Sequence, residues 1–409
     1  MEMDGMEWRQ VPVGPDAQRW VTRGGCKNVL VVVHTVTTAQ RLAYAVRLIE
    51  ADRRIQVIYT AAPDAFGNGV TGLLRQLEGM VVPWEQATNT TFDLALAAAY
   101  GSVHELRAPL IILPHGAGYN KLAVPRSAEE AAAARGVYGL DPESLVQGGQ
   151  VVASTVVLSH DADLAVLGHQ CPAALPVAEV AGDPCYDQML VSRARGTAYR
   201  RALGSDGTTR LVVTASTWGQ RSLFGQVADL HDRLLAELPA DVYRVVALLH
   251  PNVWYGHGPK QVRAWLGGAL RRGLGIVPPS SEWLGALLAA DVVVADHGST
   301  AVYAAAAGVP VVLGTHPTSD VAPGSASALL AAAAPRLDLG QPPARQLGEA
   351  ASGGQTALAD RVAARLSSQP GRFNRNMRRL IYQQLGLTQP PSIPAMPPAD
   401  VPALIRRGD

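Results

Sequence analysis

Cysteine is scarce in this 409-residue chain, and its three thiols close off two classes of protein at once. Cys26, Cys171 and Cys185 show neither CxxC spacing nor an even count, so a disulfide framework and a zinc ribbon are both excluded, as befits a reducing compartment. Net charge is nearly absent too. Thirty-five Lys and Arg against 34 Asp and Glu leave +1, which gives no bulk electrostatic basis for nucleic-acid binding. No apolar run approaches a membrane span; the nearest, residues 283–295, is broken by Asp291. The opening MEMDGMEWRQ is acidic and polar, unlike a secretory signal, so the expected location is the cytoplasm. The chain also lacks a Gly-x-x-x-x-Gly-Lys-Ser/Thr loop, a Gly-x-Gly-x-x-Gly after its first strand, and a nucleophile elbow. Its histidines have neither i, i+4 spacing nor cysteine partners, so no metal site and no resident cofactor are expected.

What is present is apolar sequence in a regular rhythm. With 48% hydrophobic and only 17% charged residues the chain can build large cores, and its length predicts two domains. Residues 28–34 (NVLVVVH) read as a buried strand, 38–51 as a helix, and 55–59 as a strand. Further strands are expected at 80–82, 110–113 and 151–158, separated by helix-length segments. The rhythm restarts with strands at 211–214, 243–249, 275–277, 292–294 and 309–313. Strands alternating with helices mean mostly parallel sheets covered on both faces. The expectation is therefore an α/β fold of two doubly wound domains facing an interdomain cleft. Its parts are a polar leader (1–26), an N-terminal acceptor-side domain (27–178), a C-terminal nucleotide-donor domain (179–368), and a basic crossing helix with a Pro-rich tail (369–409). Beyond Leu329 little structure is expected until residues 357–366. The basic stretch 372–387 reads either as a helix packing back on the domains or as a surface for an anionic membrane, and packing is favoured because aromatic anchors are missing.

Candidate chemistry clusters just beyond predicted strand ends, where open α/β sheets bind ligands. After the strand 292–294, Asp296, His297, Gly298, Ser299 and Thr300 open an Ala-rich helix. Backbone N–H groups, two hydroxyls and the positive end of a helix dipole would make a phosphate seat there; the plainer alternative is that Ser299 or Thr300 caps the helix. His115 follows 110–113 between Pro114 and Gly116, with Gly118 nearby, and an imidazole flanked by glycines suits general-base work. A structural histidine is the alternative. His250 precedes Pro251 at another strand end, and Thr217 and Trp218 follow 211–214. The segment Gly182, Asp183, Pro184, Cys185, Tyr186, Asp187 lies at a fifth. Asp161 and Asp163 read as a helix cap rather than a DxD metal motif.

These segments, in this order, resemble the CDP-glycerol glycerophosphotransferases of the teichoic-acid polymerase type, which have the GT-B fold. His115-Gly116 with Lys121 downstream is similar to that family's His-Gly-x-x-x-Lys, and Gly182-x-Pro184-x-x-Asp187 to its Gly-x-Pro-Arg-Asn-Asp. Ser216-Thr217-Trp218 resembles Pro-Thr-Trp/Phe, His250-Pro251 its second histidine, and residues 291–303 its Ala-Asp-x-x-x-x-Asp-Tyr-Ser-Ser block. Lys121 is displaced by one position, Cys185 and Tyr186 replace Arg and Asn, and His297 and Gly298 replace Tyr and Ser. The resemblance implies a donor diphosphate at Ser299 and Thr300, a base near Ile276 and Val277, His250 on the phosphate under attack, and His115 taking the proton from an acceptor hydroxyl. The donor would be CDP-linked and the acceptor a wall polymer or lipid-linked precursor, with membrane contact at most peripheral. A nucleotide-sugar transferase or sugar epimerase is the alternative, with Glu282 placed to read ribose hydroxyls; a non-catalytic nucleotide-binding protein of the same fold is the third.

Overall fold

The computed structural model describes residues 8–14, 17–124, 135–205 and 207–406. Of the polar leader, residues 1–7 and 15–16 lie outside these. The chain forms two compact units. The first takes the described residues up to Gly118, those within Ala123–Gly182, and Arg372–Ala395; the second takes Tyr119–Leu122, the described residues within Asp183–Gly371, and those from Met396 onward.

In the first unit, β1 (Lys27–Val33), β2 (Ile55–Ala61), β3 (Met80–Val82), β4 (Leu94–Ala97) and β5 (Leu110–Ile112) are followed by a two-stranded antiparallel ribbon, β6 (Val146–Gln147) and β7 (Gln150–Val151). Strands β8 (Thr155–Leu158) and β9 (Ala178–Val180) complete a seven-stranded sheet of order β3-β2-β1-β4-β5-β8-β9. All its pairings are parallel, with Lys27 through Val33 opposite Ile55 through Ala61 and Val29 opposite Leu94. Strand β1 is central because residues 29–33 are apolar without interruption, and only a strand covered on both faces buries every one of them.

The second unit repeats the plan on a smaller scale. Strands β10 (Arg210–Ser216), β11 (Tyr243–Leu249), β12 (Gly275–Val277), β13 (Val292–Ala295) and β14 (Val311–Leu313) form an all-parallel sheet of order β12-β11-β10-β13-β14. In each unit the first strand is central and the strand order reverses beside it, which is the doubly wound topology expected from the sequence.

Two expectations about organisation change. The first unit extends to Gly182, not residue 178, because β9 hydrogen-bonds to β8 and so completes the first sheet. The stretch beyond Leu329 is not bare: helices run at Ala326–Ala333 and Pro343–Ser352 as well as Thr356–Leu366. The Pro343 helix begins on a proline whose missing N–H costs nothing at a first turn, and it buries Leu347 and Ala350. Its Pro-Pro start looks like loop in a linear reading. The described leader is pinned where Arg9 and Gln86 exchange two hydrogen bonds of 2.9 and 2.8 Å. The Pro-rich tail is likewise anchored: Ala399 is fully buried, its N–H donates to Ser192, its carbonyl accepts from Tyr199 and Arg195, and Ile405 pairs with Ile276.

The terminal helix Phe373–Gln384 belongs to the first unit. It buries Phe373, Met377, Leu380 and Ile381, while the Tyr382 hydroxyl donates to Asp52 at 2.7 Å and Arg379 pairs with Glu179 at 3.0 Å. The helix packs within the first unit. No helix among the described residues is long and apolar enough to cross a membrane.

Beneath β10, the wholly buried His231 sits with its Nε2 2.9 Å from the Thr214 hydroxyl. Burial pushes its pKa from 6.5 down to about 4. A histidine held neutral in the fold but protonated in the unfolded chain contributes stability that is complete above about pH 6.5 and is lost as pH falls toward 4. That displacement corresponds to about 3 kcal/mol. Urea unfolding of the second unit, followed at pH 7 and pH 4, is expected to show this loss, and His231→Gln should show a clearly smaller pH dependence. Equal pH dependence in the two proteins would remove His231 as its source.

Candidate active site

In the second unit the crossovers from β10 and β13 leave in opposite directions, so their following loops diverge and open a crevice at the strand ends. Asp296 ties the two loops together. Its carboxylate is fully buried; Oδ1 accepts from Gly298 N at 2.9 Å, and Oδ2 accepts from Thr217 N and Leu223 N at 2.9 Å each. The Ser216 hydroxyl lies 3.3 Å from Oδ2 and shares its single proton with the Thr217 carbonyl. Burial raises the Asp296 pKa, opposed by the N–H groups of Leu223, Gly298 and Thr217 and by Lys121. Gly298 sits in a tight place, since a Cβ there would stand 3.1 Å from both Asp296 Oδ1 and Thr217 Cβ.

The helix Ser299–Ala306 starts immediately beyond. Gly298 is its N-cap, in extended conformation, and no side chain caps it. Ser299 and Thr300 therefore occupy the first helical positions, half-buried, and the plain capping alternative does not hold. Helix N–H groups that no capping side chain engages, beside two hydroxyls, are a seat for anionic oxygen. The helix itself is held by Tyr303, whose hydroxyl meets both Asp183 oxygens at 3.2 and 3.0 Å. Asp183 also caps Pro184–Ser192, and Asp187 accepts from Gly371 N at 2.6 Å. The segment 182–187 thus acts as framework.

His250 caps the helix Pro251–His257. Its N–H donates to the Ser216 carbonyl at 3.0 Å, and its Nδ1 accepts from Asn252 N at 3.1 Å. An accepting Nδ1 leaves the proton of the neutral ring on Nε2. His115 belongs to the first unit, where it follows β5. It is exposed, on a loop tightened by Gly118 N donating to Gly116 O at 2.8 Å, with Gly118 at φ +71°. Gly116 is half-buried.

Lys121, though early in sequence, belongs to the second unit. It pairs with Val321, and its neighbours clamp the same loop: Leu122 N donates to Asp320 O, and the Asn120 carbonyl accepts from Ala322 N, both at 2.9 Å. Burial lowers the Lys121 pKa against the pull of Asp296 and Asp320. His297 is 92% buried, and burial together with Lys121, His316 and Arg221 depresses its pKa to about 3.

The remaining candidates divide. Thr217 is buried and contributes its N–H, whereas Trp218 is exposed. Ile276 and Val277 are wholly buried in β12, and Ile276 spends its backbone on Ile405, so a base could not lie against these side chains. That correction follows from the tail, which covers the edge of the sheet. Glu282 accepts from Leu284 N at 3.0 Å, and burial raises its pKa. Asp161 stands at a helix start without capping it; His160 Nδ1 accepts the Ala162 N–H at 2.9 Å instead. Among the described residues no group of three or more potential ligands could hold a metal. The sequence reading missed Thr315 and His316, although they too follow a strand end, that of β14.

No family model matches the chain, and no curated protein matches it in sequence. Solved structures do match. The chain is similar to the wall teichoic acid polymerase TagF, with TM-score 0.60 and 12% identity over 88% of this chain and 89% of that one. It is also similar to a histidine-to-asparagine variant of TagF soaked with CDPG, with TM-score 0.61 and 13% identity over the same shares. At this identity the likeness establishes the fold, the GT-B-like α/β architecture that the sequence resemblance implied.

Asp296→Asn offers one acceptor oxygen where three N–H groups converge and turns an amide N–H toward the others. The expected cost is about 3 kcal/mol. Hydrogen exchange should accelerate in peptides containing Thr217, Leu223 and Gly298 before it does so elsewhere in the unit; unaltered protection there would show that Asp296 is not the tie.

Proposed function

We propose that this chain is a transferase that moves a glycerophosphate, or a similar polyol-phosphate group, from a CDP-linked donor to an acceptor hydroxyl. The observation that carries the reading is the uncapped start of the helix Ser299–Ala306 at the switch point of the second sheet. A nucleotide diphosphate fits that place by charge, by dipole and by hydroxyl donors. The polymerase whose fold the chain shares has been solved with CDPG soaked in, which makes a CDP-linked donor the first to test.

In this reaction the acceptor oxygen bonds to the distal phosphorus of the donor. The bond from that phosphorus to the bridging oxygen breaks, CMP leaves, and the acceptor proton passes to His115. The His250 Nε2–H donates to a phosphate oxygen as charge builds on it, a role its Nδ1 contact with Asn252 N prepares. Ser299, Thr300 and the N–H groups of the helix start hold the diphosphate. The protein's contribution is then mainly positioning and charge neutralisation.

Product analysis separates this from sugar transfer on the same fold. Attack at phosphorus releases a nucleoside monophosphate, whereas attack at an anomeric carbon releases a nucleoside diphosphate. Across a panel of CDP-polyols and nucleotide sugars with simple hydroxyl acceptors, CMP from a CDP-polyol is the expected product; a nucleoside diphosphate from a nucleotide sugar would establish the alternative. His115→Ala should lower turnover about 100-fold or more while nucleotide affinity holds. The double change Ser299→Ala, Thr300→Ala should weaken nucleotide binding about tenfold. Near-normal rates in the first, or unchanged affinity in the second, would refute the corresponding role.

A further inference from the structure

Beside the helix tip, the second unit buries polar atoms that nothing in it satisfies. His297 and His316 are 92% and 91% buried, their ring centroids 6.3 Å apart at 77°. Among the described residues, His297 Nδ1, both ring nitrogens of His316 and the Thr315 hydroxyl have no hydrogen-bond partner. Four such atoms in one small region are unusual, because buried polar groups are normally paired. Their juxtaposition is built in. Gly314 N donates to Ala295 O at 2.8 Å, which fixes the loop after β14 beside the end of β13, and a Cβ on Gly314 would crowd the Leu223 side chain of the β10 crossover.

The surroundings decide the sign of charge that fits. Lys121, from the segment pinned along 320–322, and Arg221, from the loop after β10, both act on His297; Arg336 acts on His316. The acidic neighbours are already engaged. Asp296 is saturated by N–H donors, and Asp320 is paired with Arg221 at 2.7 Å. A cation would therefore meet like charge and no free carboxylate. An anion would meet an ammonium, two imidazoles able to donate, and a hydroxyl.

We propose that Lys121, His297, Thr315 and His316 form a second seat for an anionic oxygen group, adjoining the helix tip, and that its ligand is a phosphate of the diphosphate-bearing substrate. The identity of the substrate rests on the transferase reading above; the seat itself does not. Burial and cationic neighbours lower the pKa of both imidazoles and so favour their neutral forms while the seat is free. An arriving anion replaces lost hydration with opposite charge, which favours the protonated rings, so binding takes up protons.

Inorganic pyrophosphate is a suitable probe because it needs no turnover. Calorimetric titration at pH 6.5 in two buffers of different ionisation enthalpy should show net proton uptake on binding, falling as pH rises to 8. His316→Gln and His297→Gln keep polar atoms but cannot be protonated within this range; each should weaken pyrophosphate binding about fivefold or more. Each should also reduce the proton uptake. Ser299→Ala with Thr300→Ala should weaken binding yet leave uptake per bound ligand unchanged. Circular dichroism and thermal unfolding of each variant establish that it is folded, and a third variant, Thr315→Val, removes the hydroxyl without touching either ring. Pyrophosphate binding that is unaffected by all three substitutions, or that occurs without proton uptake, would overturn the seat, as would the absence of pyrophosphate binding. Failure of every donor in the product assay, with proton-coupled pyrophosphate binding intact, would count against the transferase reading and leave the seat standing.

Discussion

One buried carboxylate organises the site of the second unit. Asp296 gathers N–H groups from the loop after β10, from the short helix behind it and from its own loop, and fixes them about two oxygen atoms. Without it the crevice at the switch point would be bounded by two independent loops, each free to collapse onto the strand ends. With it, Gly298 is drawn tight, the helix Ser299–Ala306 starts at a fixed place, and no side chain caps that start. The fixed, uncapped start of this helix is thus a consequence of an acidic residue. The carboxylate's charge is directed inward and consumed by backbone donors, so little of it opposes a phosphate outside.

The rest of the unit supports that arrangement from several directions. Tyr303 ties the same helix to Asp183, and Asp183 in turn starts the helix Pro184–Ser192. The carbonyl of Ser216, at the end of β10, receives the His250 N–H, which sets that imidazole at its own helix start with Nδ1 already occupied. Residues 119–122 join from far upstream and bring Lys121 beside the loop at 320–322. Few of these contacts are large energetically. Each removes a freedom that a ligand would otherwise have to remove on binding.

The chain also shows how polar and apolar burial are distributed in a doubly wound unit. The sheet interior is almost wholly Val, Leu, Ile and Ala, and polar residues enter only at strand ends or where a partner waits, as His231 does beneath Thr214. At the ends of β13 and β14 several unpartnered buried polar atoms lie together, three of them imidazole nitrogens. Their position, next to the helix tip and among cations, is the physical reason to treat them as a binding feature rather than a packing accident.

Much of this was legible without coordinates. Runs such as 28–34 and 243–249, too apolar for an exposed sheet and too short for helices, required parallel strands covered on both faces, and their alternation with helices required two doubly wound units. Placing candidate groups at strand ends located Asp296 through Thr300, because that rule depends only on topology. The distant pairings were not legible. That Lys121 joins the second unit, that β9 completes the first sheet, that a proline-led segment forms a helix, and that Ile276 is sealed by Ile405 all depend on contacts between residues far apart in the chain. Hydrophobic periodicity records which face of an element is buried and is silent about what buries it. Only the tertiary structure decides that partner, and here it decided which polar atoms were satisfied and which were left waiting.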